Sequence, residues 1–234
     1  MKFAAFDLEI AKQTPAGDGD LMRYAPLGIT CAAVAVDGAA VRFWQGVPQL
    51  SRAQACELVH DLQALVANGY TLVSWNGCAF DFQVLAQESG LVAACGALAL
   101  NHIDFMLIVT YSNGYRLGLE AALIGAGLPG KTKQVRLRDG RVVSFSGIEA
   151  PARWAAGEHE AVLCYLEQDV AQLLALSNRV AQKKCLNWTS QRGKPMSVRM
   201  ARISTVRECA AIPVPDTSWM DNPPTRAEFI AWIP

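Results

Sequence analysis

The first ten residues carry a strict alternation. In KFAAFDLEI, residues 2–10, Phe3, Ala5, Asp7 and Glu9 project to one side and Ala4, Phe6, Leu8 and Ile10 to the other, the two-residue period of a β-strand. One face is fully apolar and the other ends in two acids. A polar loop with Gly and Pro, residues 11–26, precedes a second predicted strand in LGITCAAVAVDG. Asp37-Gly38 then predicts a hairpin turn into a third, AVRFWQG. Beyond it the period becomes helical: Ser51 is placed to cap, Ala55, Leu58, Val59, Leu62 and Leu65 form the apolar stripe, and Asn68-Gly69 ends it. YTLVSWNG (70–77) reads as a fourth strand and FDFQVLAQESG as the helix directly after it. Asp104 is positioned to cap a short helix to Tyr111, closed by Asn113-Gly114. Residues 117–127 predict another helix, and Glu158 to about Ala181 the longest.

Three strands in a meander, followed by alternating helices and strand, predict an α/β fold with a mixed sheet flanked by helices. The 234 residues suit one large domain, or a domain of residues 1–182 with an ordered C-terminal extension, 183–234, first basic and then Pro-rich. Pro213, Pro215, Pro223, Pro224 and Pro234 exclude one long helix there.

Composition narrows the class. The chain is 52% hydrophobic, yet its apolar segments fall short of the roughly eighteen residues that span a bilayer. Acids stand where a signal peptide would need its apolar stretch, so no membrane role and a cytoplasmic location are expected. The seven cysteines are scattered without a CxxC pair, the pattern of reduced core residues. His60, His102 and His159 are too dispersed for a zinc site, so any metal has to be held by carboxylates. Net charge is zero but unevenly spread: residues 1–130 hold six Lys and Arg against eleven Asp and Glu, and residues 131–234 hold fifteen against ten. Residues 183–207 carry seven basic residues and no acid. An acidic front with a basic stripe behind suits a polyanion whose reaction needs cations, or else the stripe is a solvated surface.

Asp7 and Glu9, two apart on a strand, face the same way, and two like charges in an apolar strand are costly unless something positive neutralises them. Asp81 starts the helix after the fourth strand. Tyr165 and Asp169, four apart in YLEQD, share one face of the long helix. Converging at the strand ends, four such oxygen ligands suit two Mg²⁺ or Mn²⁺ ions, which would clamp the attacking and leaving oxygens of a phosphoryl displacement. Each piece alone has a plainer reading: an N-cap for Asp81, packing for Tyr165, a solvated helix face for Asp169.

FDLEI, NGCAFD and YLEQD resemble the three motifs of the DnaQ-like 3′→5′ exonucleases, which have an RNase H-like fold, and specifically the DEDDy type, whose tyrosine stands four residues before the last aspartate. Tyr165 matches, whereas the histidine of the sister type would fall where this chain has Cys164. HIDFM (102–106) and GLEAALIGAGLPGK (118–131) further resemble the exonuclease domains of family B DNA polymerases and their stand-alone relatives. The likeness covers about residues 1–182. It implies that Asp7 bridges two metal ions, that Glu9 and Asp169 bind the one activating water, and that Asp81 holds the second. It also implies that Tyr165 orients the attacking water, while Asn76 and Phe80 support the terminal nucleotide. Ile10 stands where the family often has threonine, so contacts to the 3′-terminal sugar are expected to differ. The substrate implied is a single-stranded 3′ end, with DNA favoured over RNA by the polymerase-like HIDFM. The rivals are an RNase D-like enzyme acting on RNA, a structure-specific endonuclease and a catalytically silent binding module, the last of which would predict broken carboxylates.

Other positions are open to two readings. Lys131 and Lys133, with Arg136, Arg138 and Arg141, either line a phosphate track or form a basic hairpin in water. His102 and Asp104 read as a satisfied surface histidine and a helix cap. Trp75 reads as core; Trp188, amid basic residues, either stacks on a base or packs the tail.

Overall fold

The computed structural model describes residues 1–15, 19–131 and 133–234. β1 (Lys2–Ile10) lies at the centre of a five-stranded sheet and is covered on both faces, with Phe3, Ala4, Ala5 and Phe6 all buried. β2 (Ile29–Val36) runs antiparallel to it, and β3 (Arg42–Gln45) antiparallel to β2. On the other side β4 (Tyr70–Ser74) and the two-residue β5 (Ile103–Asp104) continue in parallel, giving the order β3-β2-β1-β4-β5. This is the mixed, RNase H-like sheet expected from the alternation pattern and the motifs.

Local chemistry explains the helices. α1 (Arg52–Ala67) begins in a capping box: the Gln54 N–H donates to the Ser51 hydroxyl, and the Gln54 side chain accepts from the Ser51 N–H. α2 (Asp81–Ser89) packs its Phe82 ring 5.4 Å from Phe6, so the apolar even-numbered face of β1 turns toward α2. α3 (Val92–Asn101) has no counterpart in the sequence reading, because VAACGALALN is apolar nearly all round and shows no helical stripe. α4 (Phe105–Asn113) is capped by Asp104 as expected, and α5 (Leu119–Gly125) falls within the predicted 117–127. β6 (Gln134–Arg136) and β7 (Val142–Ser144) form a hairpin, followed by α6 (Ala150–Ala155). α7 (His159–Lys183), about 37 Å long at 1.5 Å per residue, lies across β1 and β2.

Beyond α7 the chain is well packed. β8 (Cys185–Thr189) and β9 (Pro195–Arg199) form a second hairpin, which the sequence shows only as the alternation Leu186, Trp188 and Met196, Val198 on either side of Gly193. Trp188 is buried, so its packing reading holds. α5 presses so closely on this hairpin that a Cβ on Gly125 would lie 1.9 Å from the Asn187 carbonyl oxygen. The short helices α8 (Val206–Cys209) and α9 (Ala227–Ile230) bring the terminal residues back across the molecule. Phe229 of α9 is fully buried and meets Tyr111 edge-on at 5.8 Å.

Among the described residues no helix is long and apolar enough to cross a membrane, and all seven cysteines are free, Cys31, Cys78, Cys95 and Cys209 in the core. Truncating the anchor of the tail, Phe229→Ala, removes a fully buried ring and is expected to cost about 3–5 kcal/mol. Chemical denaturation followed by far-UV circular dichroism should show this as a shifted midpoint with unchanged slope.

Candidate active site

The site grows from the outer half of β1. Asp7 and Glu9 leave the odd-numbered face, half-buried, where the sheet opens beside α7. The ladder is irregular there: Glu9 pairs with Cys31 but Ile10 with Ile29, leaving Thr30 as an extra residue on β2. The Thr30 hydroxyl donates to the Glu9 carbonyl at 3.0 Å and so satisfies the interrupted strand. Asp81, at the first position of α2, is buried, and its Oδ1 accepts from the Leu8 N–H at 3.2 Å. The same N–H also donates to Asp7 Oδ1 at 3.0 Å, so one backbone amide ties the first and third acids together.

Asp169 and Tyr165 approach from α7, both buried. Between them stands Lys131, whose Nζ donates to Asp169 Oδ2 at 2.7 Å and to the Tyr165 hydroxyl at 3.1 Å. The phenol ring stacks on Phe145 with centroids 4.5 Å apart. Gly147 leaves room for its oxygen, since a Cβ there would come within 3.1 Å of it. Lys131 thus parts company with its basic neighbours. It enters the cleft, whereas Lys133, Arg136, Arg138 and Arg141 are exposed on or beside the β6–β7 hairpin.

Asp7, Glu9, Lys131, Tyr165 and Asp169 line one cleft of about 400 Å³, with Ile10, Leu21, Phe80, Gly147 and Pro151 among its walls. Asp81 stands behind it, joined through Leu8. Phe80 and Leu21 also border a second cleft of about 590 Å³, which holds Asn76, Gln83, Arg116 and Glu228. Of the residues expected to support a nucleotide, Ile10, Phe80 and Lys131 therefore share the acidic cleft, and Asn76 faces its neighbour.

A buried polar network shapes the turn that delivers Asp81. Asp104, fully buried, accepts from the N–H groups of Asn76, Cys78 and Leu107 at 3.0–3.1 Å, acting as turn anchor and helix cap together. His102 is buried, not on the surface as its polarity suggested: its ring packs edge-on against Phe82 at 4.7 Å. Its Nδ1 lies 2.6 Å from the Ala99 carbonyl and its Nε2 2.8 Å from the Ser74 hydroxyl, which in turn accepts the Gly77 N–H at 3.0 Å. Burial lowers the His102 pKa, in keeping with a neutral ring that donates at one nitrogen and accepts at the other. Gly77 must be glycine, since a Cβ would sit 2.3 Å from Ser74 Oγ, and Asn76 takes the left-handed φ of 72° that asparagine tolerates. The tail closes this turn from outside: the Trp232 indole N–H donates to the Cys78 carbonyl at 2.8 Å, and the Cys78 thiol to the Phe229 carbonyl at 3.4 Å. Sequence reasoning missed the part played by the tail, which no local pattern announces.

The electrostatics follow from crowding. Burial, then the neighbouring Asp169, raises the Asp7 carboxyl to about 7, and burial followed by Asp7 pushes Glu9 and Asp81 well above their ordinary values. Asp169 is raised by burial although Lys131 opposes the shift. Burial disfavours the Lys131 ammonium, but Asp169 and Tyr165 outweigh it and hold the charge in place. Burial, then Asp169, lifts the Tyr165 phenol to about 12, so it keeps its proton at neutral pH. Among the described residues no three His, Cys, Asp or Glu side chains close around a point as a finished metal centre would. By donor type and charge, however, four carboxylates beside the Lys131 ammonium fit hard divalent cations, whose charge would favour the ionised forms that burial and repulsion disfavour.

Fold and site together define an α/β protein of RNase H-like architecture with a carboxylate-lined cleft at the ends of its central strands. Among solved structures, the family B DNA polymerase from the hyperthermophilic archaeon Pyrobaculum calidifontis is similar, with a TM-score of 0.52 at 17% identity over 76% of this chain. The match spans 24% of that polymerase, and at this identity the likeness is one of fold. No protein-family profile and no curated protein sequence matches the chain.

The raised carboxyls make a sign-definite prediction. A folded-state pKa of about 7 against an ordinary 3.8 means that stability present at low pH is lost as pH climbs between those values. In the metal-free protein Asp7→Asn is therefore expected to gain about 1–3 kcal/mol at pH 7.5 and almost nothing at pH 4. Thermal unfolding in EDTA at the two pH values measures the difference; an equal or lower Tm for the variant at pH 7.5 refutes it.

Proposed function

We propose that this chain is a divalent-metal-dependent 3′→5′ exonuclease acting on single-stranded nucleic acid, DNA in preference to RNA, and releasing nucleoside 5′-monophosphates. The observation that carries the reading is the cleft in which Asp7, Glu9, Tyr165 and Asp169 meet, with Asp81 tied to Asp7 through the Leu8 amide. The likeness of fold to a family B DNA polymerase and the HIDFM segment add support for DNA.

Mg²⁺ or Mn²⁺ ions bound by Asp7, Glu9, Asp81 and Asp169 would supply Lewis acidity to the phosphate and a lowered pKa to the attacking water. The remaining work falls to the chain itself. Tyr165, protonated and fixed by Lys131 and Phe145, holds a hydroxyl hydrogen for the water oxygen. Lys131 sets a positive charge beside the oxygens on which negative charge accumulates. Phe80, at the seam between the two clefts, supports the terminal nucleotide, and Ile10 gives the sugar an apolar wall without a hydroxyl donor. Asn76, in the second cleft, supports the same nucleotide from the other side of Phe80. The water oxygen bonds to phosphorus as one of its protons passes to solvent, the bond to the 3′ oxygen of the preceding nucleotide breaks, and that oxygen takes up a proton from solvent to leave as the new 3′ hydroxyl, the water's other proton staying with the released 5′-phosphate.

Purified protein with Mn²⁺ is expected to shorten 5′-labelled single-stranded DNA stepwise from the 3′ end, and RNA more slowly. Asp7→Ala should abolish the ladder while leaving the circular dichroism spectrum intact. Tyr165→Phe should slow turnover by about ten- to a thousandfold with oligonucleotide binding retained. An Asp7→Ala protein as active as wild type would place the chemistry elsewhere.

A further inference from the structure

We infer that the C-terminal segment of this chain supplies a base-stacking platform, Trp219 against Tyr115, that receives single-stranded nucleic acid upstream of the second cleft. The inference rests on the nuclease reading above and extends it to residues outside both clefts.

Trp219 is 66% exposed, an unusual state for the largest apolar side chain in a folded chain. It is nonetheless held in place. Its indole N–H donates to the Asp216 carbonyl at 3.2 Å, and Asp216 Oδ1 accepts the Ser218 N–H at 2.9 Å. Thr217, two residues before it, packs so tightly over Gly114 that a Cβ there would lie 2.3 Å from its methyl. The only polar atom of the indole is thus satisfied within its own turn, and what remains for solvent is ring. Tyr115 meets Trp219 at 6.5 Å and the buried Trp188 at 6.4 Å, both edge-on, so the exposed ring is backed by the core of the β8–β9 hairpin.

The surroundings select the occupant. Tyr115 is followed directly by Arg116, which lines the second cleft with Asn76 and Phe80 and is therefore continuous with the acidic one. Arg116 is half-exposed and paired to Glu228 at 2.6 Å, a surface contact that a phosphate can replace at little cost. Beyond Trp188 the tip of the hairpin carries Arg192 and Lys194, both exposed and in no ion pair among the described residues. Lys183 and Lys184, by contrast, stand at the far end of α7, roughly 21 Å along its axis from Asp169. A fixed, exposed aromatic ring whose partner Tyr115 adjoins Arg116 of the second cleft, and whose backing Trp188 lies on the hairpin that carries Arg192 and Lys194, suits a single strand bound without regard to sequence: bases stack and phosphates find positive charge. A protein partner, which would also accept an exposed indole, gains nothing from the cleft cation Arg116 next to Tyr115.

The test compares binding of 5′-fluorescein-labelled oligothymidylates of three and twelve nucleotides by anisotropy in Ca²⁺, using the full chain and Trp219→Ala. Wild type should bind the 12-mer more tightly than the 3-mer. Trp219→Ala should weaken the 12-mer about 5- to 100-fold and leave both the 3-mer affinity and 3-mer cleavage in Mn²⁺ unchanged, because the ring lies outside both clefts. Trp219→Phe should restore most of the loss, which a merely missing contact within the tail would not explain. Equal 12-mer affinity for wild type and Trp219→Ala overturns the platform, as does a change confined to self-association in sedimentation, and either leaves the nuclease reading standing. Failure of wild type to bind or cut any of these oligonucleotides removes the nuclease reading, and the platform with it.

Discussion

Four carboxyl groups crowd the outer end of one strand with the Lys131 ammonium among them, and the rest of the molecule is arranged around tolerating that. Burial lifts all four carboxyls and like-charge repulsion adds to it at Asp7, Glu9 and Asp81, while Lys131 answers them with a positive charge. On the reading proposed above, divalent cations would supply the charge of opposite sign that this cluster lacks. The cost is met by structure around the cluster: the β1 ladder, the shared Leu8 amide and the fixed end of α2.

That fixity has a traceable origin. Asp81 is only as well placed as the turn before it, and that turn contains a left-handed asparagine and a glycine with no room for a side chain. Such a backbone persists because Asp104 and Ser74 satisfy its N–H groups from the inside, Ser74 being held in turn by His102, while Trp232 and Phe229 engage Cys78 from the outside. The last residues of the chain therefore bear on the position of an acid that belongs to its first half. The same segment supplies Glu228 to the second cleft and Trp219 to the surface beyond it, so one stretch of tail serves both support and, on the reading proposed above, substrate.

Local pattern alone made much of this legible. Period-two alternation in residues 2–10 identified β1 and put Asp7 and Glu9 on one face, because a pleated strand permits nothing else. The four-residue spacing of Tyr165 and Asp169 likewise set them side by side on α7, and Ser51, Asp104 and the Asn113-Gly114 pair marked helix ends by their own hydrogen-bonding chemistry. Where the pattern was weak the reading failed: α3 lacks a polar face, β5 has two residues, and the β8–β9 alternation was masked by lysines and arginines. His102 was misplaced for a related reason, since a polar side chain looks exposed until its partners are known.

Tertiary structure decided what depends on residues distant in sequence. Nothing local separates Lys131 from Lys133, yet one enters the cleft and the other faces water, because only the first meets Tyr165 and Asp169, across 34 and 38 residues respectively. The division of the open surface beside β1 into two clefts at Phe80, and the return of Phe229 and Trp232 to the Asp81 turn, also arise from contacts between distant segments. Spacing along a strand or helix is dictated by backbone geometry and can be read from a string of residues. Which long-range partner completes a buried charge or caps an exposed turn is chosen by packing, and packing exists only once the chain has folded.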